Sequence, residues 1–129
     1  MVFIAQVVVE PPTIAPYLLK TIPMDEREEP LFRRALGAAQ SRSWDMAIHF
    51  YDEFLKKYPD SYISWNNRGA CKVDKAKEQN DLALAVQGRA EIDHAIRLAQ
   101  QQYGGYQMAE NNIKWADEVI TDLTAKNSN

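Results

Sequence analysis

WDMAIHFYDEFLKKYPD, residues 44–60, is the stretch on which the fold turns. Trp44, Ala47, Ile48, Tyr51, Phe54 and Leu55 recur at helical spacing and trace one apolar stripe, with Ser43 ahead of them as a candidate N-cap. Tyr58-Pro59 stops the pattern, because the residue before a proline is driven away from helical angles. The stretch is one amphipathic helix with a sharp end.

Toward the N-terminus, PLFRRALGAAQ carries Leu31, Ala35, Leu36 and Ala38 at helical spacing. Pro30 suits a first helical turn, and Glu26, Glu28 and Glu29 lie near its positive end, so the pattern predicts a helix over 29–41. Prolines 11, 12, 16 and 23 crowd the residues before it, and no helix interior tolerates that density. Residues 1–24 therefore read as an extended N-terminal arm.

Toward the C-terminus, Asp60 and Ser61 can cap YISWNNRGACKVDKAKEQ, Asn80 or Asp81 can cap LALAVQGRAEIDHAIRLAQQQ, and Gly104-Gly105 can end it. A last helix, YQMAENNIKWADEVITDL, places Ala109, Ile113, Ala116, Ile120 and Leu123 on one face. Trp115 lies one residue off that stripe, as the edge of a contact surface would. The fold class is all-α: about five helices in antiparallel hairpins over 25–124, followed by a disordered tail at 125–129.

Composition fits one such domain, with 129 residues, 46% hydrophobic and 26% charged. A net charge of −3, with basic residues scattered among acidic ones, gives no electrostatic footprint for nucleic acid. Cys71 is the single cysteine, and with only His49 and His94 available no Cys/His cluster has zinc spacing. No metal and no cofactor is expected. The apolar opening falls short of the roughly 20 residues that span a bilayer and lacks a basic flank, so the expected location is intracellular and cytoplasmic.

Short helical hairpins in succession invite a search for repeats. With Pro59 closing a unit of about 34 residues, Leu31, Ala35 and Ala38 fall on its first helix and Trp44, Ala47, Tyr51 and Phe54 on its second. Residues 28–61 thereby resemble a tetratricopeptide repeat. Trp65, Gly69 and the WNNRGA string resemble the first helix of a second unit, with glycine where two helices come closest, and EIDHAIRLAQQ resembles its second helix. Ala95, however, follows Ala47 by 48 residues instead of 34. The surplus either adds roughly two turns to each helix, at about 3.6 residues per turn, or forms a long loop over KVDKAKEQNDLALAVQ. The helix-compatible DLALAVQGRAEI and the rarity of long loops weigh toward the hairpin. The last helix resembles the capping helix of such arrays.

The resemblance implies an α-solenoid that works as a non-catalytic protein–protein interaction module: an adaptor, scaffold or assembly factor binding a partner peptide or subunit through its concave face. The matching groove positions are Phe32, Arg33, Leu36, Ala39, Ile63, Asn66, Asn67, Ala70 and Val73. Asn66 and Asn67 stand out, since a carboxamide can bond both the N–H and the C=O of an extended ligand. Family members that bind acidic chaperone tails use lysines, an arginine and asparagines at five positions, of which only Asn67 has a counterpart here. Binding of such tails is not expected.

Residues with chemical potential read as structural. His49 and His94 lie beside core positions with no nucleophile motif or Gly-rich phosphate loop nearby, and Cys71 reads as a small core residue. Carboxylates such as Glu91, Asp93 and Asp117 have cations close in sequence, as on solvated helix faces. An enzyme is not expected. In the arm, Val2, Phe3, Ile4, Val7, Val8 and Val9 are uncharged, β-branched or aromatic, and would invite aggregation unless covered. They predict self-association, for instance in a two-fold homodimer, or docking on the chain's own groove or on another subunit. The alternative function is a structural subunit of a larger complex, its helices and arm consumed in assembly. Membrane attachment ranks below these because the flank is the acidic Glu10.

Overall fold

The computed structural model describes residues 25–102 and 104–128, and these residues are all-α. A 3-10 turn at Glu26–Glu28 leads into five helices: α1 (Pro30–Gln40), α2 (Trp44–Lys57), α3 (Tyr62–Gln79), α4 (Leu82–Gln102) and α5 (Gln107–Asn127). The arm residues Val2, Phe3, Ile4, Val7, Val8 and Val9 lie outside the described residues.

Local chemistry sets most of the boundaries. Pro30 opens α1, where its missing N–H costs nothing. Ser43 occupies the N-cap position of α2 but its side chain makes no capping bond; the reversal is made instead by Arg42 in left-handed geometry, at φ 60°. Ser61 does cap α3, accepting the Ser64 N–H at 3.2 Å. Gly104, at φ 114°, follows the end of α4 and donates its N–H to the Ala99 carbonyl at 3.0 Å.

Residues 74–79 and 82–88 are helical, so α3 and α4 form one long hairpin of 18 and 21 residues. Two residues make its tip. Asn80 takes left-handed angles at φ 56°, a conformation that asparagine tolerates better than most residues, and the Asp81 N–H closes back on the Ala76 carbonyl at 2.9 Å. The Asp81 carboxylate then accepts the Leu84 N–H at 3.0 Å and starts α4. Stop and start signals stand side by side.

The hairpin closes on a pair of glycines. A Cβ placed on Gly69 would lie 2.6 Å from the Gly88 carbonyl oxygen, and one on Gly88 would lie 2.6 Å from the Gly69 oxygen and 2.8 Å from Val73 Cγ2. The backbones of α3 and α4 therefore touch, at a distance that no other residue permits. Around this crossing lie the buried Val73, Ala76, Ala85, Ile92 and Ala95.

Each helix packs on its neighbour in the chain, and α5 also meets α3. Between α1 and α2 the core is aromatic, with Phe32 edge-on to Tyr51 and Phe54 at centroid distances of 5.9 and 5.7 Å. Helix α5 runs to Asn127, so residues 125–127 continue the helix instead of forming a tail; Ala125 is a strong helix former, and Lys126 suits the negative end of the helix. Its buried face is Ala109, Asn112, Trp115, Ala116, Val119 and Leu123. Trp115 is therefore buried rather than at an exposed edge, because contact with both α3 and α4 turns the stripe away from Ile113 and Ile120, which are only half-buried. Glu110, Lys114, Asp117, Glu118, Thr121 and Asp122 face solvent. No helix among the described residues is long and apolar enough to cross a membrane.

Candidate functional site

The positions assigned to a groove divide into two sets. Phe32 is enclosed by the α2 aromatics, and Val73 meets α4 at the glycine crossing; both are buried, as are Ala39, Ile63, Asn66, Asn67 and Ala70. Arg33 is exposed and Leu36 half-buried, both on α1. Most of the expected groove is thus spent inside the fold, and Arg33 and Leu36 are what it leaves accessible. The reason is that α2 and α5 both lean over α3, which the repeat pattern of a single hairpin does not reveal.

The two asparagines belong to a hydrogen-bond chain that crosses α3. Asn112 Nδ2 of α5 donates to Asn66 Oδ1 at 3.0 Å, Asn66 Nδ2 reaches Asn67 Oδ1 at 3.5 Å, and Asn67 Nδ2 donates to the Tyr51 hydroxyl of α2 at 2.8 Å. All four residues are fully buried. Buried amides need such partners, and a chain of them fixes how α2 and α5 register on α3 more sharply than apolar contacts do. Burial also pushes the Tyr51 phenol well above its ordinary value. Asn112 was detectable in the sequence as a polar residue within the apolar stripe of α5; its partner, 46 residues away, was not.

Two buried carboxyls flank this chain. Glu26, from the 3-10 turn, receives hydrogen bonds on Oε1 from Ser61 Oγ at 2.6 Å and Ser64 Oγ at 3.2 Å. Burial pushes its carboxyl up to about 7, against the pull of the two serine hydroxyls and with a smaller push from Asp25. Asp74, farther along α3, is raised to about 6, again by burial, with Arg42 drawing it back and Glu78 adding to the rise. Cys71, fully buried between them, has its thiol pushed far up by burial, which makes it inert as a nucleophile.

A third cluster lies where α2, α3 and α4 meet. Glu91, expected on a solvated face, is instead buried and bonded on one oxygen by Arg68 Nε at 2.6 Å and on the other by Lys72 Nζ. Arg68 also donates to Asp52 at 2.7 Å and lies over the Trp65 ring, its Cζ 4.6 Å from the centroid. The Trp65 ring meets His94 edge-on at 4.6 Å. Beside it opens a cleft of about 380 Å³, lined by His49, Asp52, Glu53, Leu55, Lys56 and Arg68. Its charges are mutually engaged: Arg68 by Asp52 and Glu91, and Lys56 by Glu53 at 2.7 Å. This arrangement ties three helices together. It presents no uncompensated charge for a ligand and no nucleophile beside a base. No group of three or more His, Cys, Asp or Glu among the described residues is placed to hold a metal ion.

No family model, curated protein or solved structure matches this chain. Its function must be read from its own geometry.

Proposed function

We infer that this chain is a non-catalytic interaction module of the tetratricopeptide-like kind, an α-solenoid of two helical hairpins and a closing helix that serves as an adaptor, scaffold or assembly factor. One observation supports it: the helices pack in chain order as hairpins, and the last of them turns a polar face outward, as the terminal helix of a repeat array does. The partner would be a protein segment meeting the accessible part of the concave face, Arg33 and Leu36 of α1. The test is affinity capture with the full chain and with its Arg33→Glu/Leu36→Glu variant. A partner retained by the first and lost from the second supports the reading; equal retention removes α1 from the interface.

A second reading, the structural subunit consumed in a larger complex, draws on the burial of Phe32, Asn66, Asn67, Ala70 and Val73, which leaves little open groove on α3. It places the weight of assembly on the arm. Under it, Val7→Glu/Val8→Glu abolishes co-purification of other subunits while Arg33→Glu/Leu36→Glu does not.

A further inference from the structure

Two arginines of α1 are left without a counter-charge. Every other arginine among the described residues is ion-paired: Arg27 with Asp25, Arg42 with Glu78, Arg68 with Asp52 and Glu91, Arg89 with Asp117, and Arg97 with Asp93. Arg33 and Arg34 stand side by side and exposed on a helix that contains no acidic residue, in a chain whose net charge is −3. Glu29, four residues before Arg33 and correctly spaced to pair with it, is buried instead. Beside the arginines is a glycine that the packing does not explain. Gly69 and Gly88 make the helix crossing and Gly104 takes a positive φ, but Gly37 lies within α1, where glycine weakens a helix relative to alanine, and a Cβ there would meet nothing within 4 Å. Arg33, Leu36, Gly37 and Gln40, spaced i, i+3, i+4 and i+7, share one face of α1, and Arg34 borders it.

We propose that this face of α1 docks an acidic protein segment, whose side-chain carboxylates pair with Arg33 and Arg34 while its backbone crosses α1 at Gly37 and an apolar residue covers Leu36. The inference rests on the interaction reading and gives the partner its chemistry. A guanidinium bonds a carboxylate through two parallel N–H groups, so adjacent arginines select acidic side chains and set their direction. The missing Cβ at Gly37 lets a backbone come closer to the helix than any other residue would permit. Leu36, half-buried, adds apolar area beside charges that alone are worth little in water. Asn67, the one counterpart of the chaperone-tail clamp, is spent on Tyr51 inside the fold, and recognition here falls to side-chain carboxylates instead of a chain terminus.

Selection of a random displayed peptide library on the immobilised full chain tests the proposal. Enriched peptides should carry paired Asp or Glu next to an apolar side chain. A synthetic copy of the best of them, followed by fluorescence anisotropy, should bind Arg33→Glu/Arg34→Glu at least about tenfold more weakly than the wild type. Both positions are exposed, so the variant keeps the fold. Raising the salt from about 0.05 to about 0.5 M should weaken the wild-type complex. Gly37→Ala separates docking from folding: it should unfold at higher urea than the wild type, yet hold the peptide about fivefold more weakly. Enrichment of neutral or basic peptides, or acidic peptides held equally by the double variant, overturns the proposal and leaves the interaction reading standing; no enrichment at all counts against both. Unchanged binding by Gly37→Ala overturns the crossing at that residue. A wild type that is dimeric by light scattering, with Arg33→Glu/Arg34→Glu monomeric, gives the strip to a second copy and overturns the acidic partner as well.

Discussion

Replacing Gly88 by alanine should destabilise this protein, although alanine is the better helix former. The methyl group would sit 2.6 Å from the Gly69 carbonyl oxygen and 2.8 Å from Val73 Cγ2. A carbon rests about 3.3 Å or more from a carbonyl oxygen, so α3 and α4 must part by roughly 0.7 Å at their crossing. A gap of that size forfeits a quarter to a half of each contact's dispersion energy around Val73, Ala76, Ala85 and Ile92. Overpacking of this kind costs about 3 kcal/mol at its upper range, against about 1 kcal/mol gained in helix propensity, for a net loss of about 2 kcal/mol. Gly37 is the internal control: it lies in α1, and a Cβ there meets nothing within 4 Å, so Gly37→Ala should stabilise by about 0.5–1 kcal/mol. Urea unfolding followed by far-UV circular dichroism measures both. The double variant Gly69→Ala/Gly88→Ala should cost less than the sum of its parts, because the first methyl already separates the helices. If Gly88→Ala stabilises as Gly37→Ala does, α3 and α4 do not cross in contact and the hairpin described here is wrong.

Asp74, raised by burial to about 6, favours its neutral form when folded; its contribution is complete below the ordinary value of 3.8 and is lost as the pH rises toward 6. Asp74→Asn should therefore gain about 2 kcal/mol over the wild type on going from pH 4 to pH 7, read by unfolding at both values. Glu91→Ala strands Arg68 and Lys72 in a largely buried site and should cost about 3–5 kcal/mol, whereas Glu53→Ala, on the exposed surface of α2, should be near neutral in the same assay. Asn80→Val places a β-branched residue at φ 56° and should lower the melting temperature, while Asn80→Gly should hold or raise it.

Much of the fold was written locally. Pro59 and the Trp44–Leu55 stripe placed α2 by their own chemistry, while the close approach at Gly69 was implied by the repeat resemblance. The partner glycine, Gly88, lay in AVQGRAE without a pattern to mark it, and only the folded hairpin shows why it is there. At the tip, Asn80-Asp81 left helix and loop both open, since the left-handed angle that resolves them is not visible in a sequence that offers two adjacent caps. The site fared worse. Asn66 and Asn67 were legible as unusual polar residues on α3, but what they bond, Asn112 and Tyr51, comes from helices distant in the chain. Glu26 looked like one more acid before a helix and Glu91 like one more surface charge; burial decided both, and burial belongs to the assembled fold.

In the proposed mode of action, the chain holds another protein segment against the accessible edge of α1. A photo-crosslinking residue placed at Leu36 of the full chain, compared with the same group at the exposed Val86 on α4, tests it most directly. In extracts of cells that make the protein, position 36 should give a discrete crosslinked partner that Arg33→Glu abolishes, and position 86 should give none. Crosslinks from position 86 alone would contradict it and move recognition to the outer face of α4.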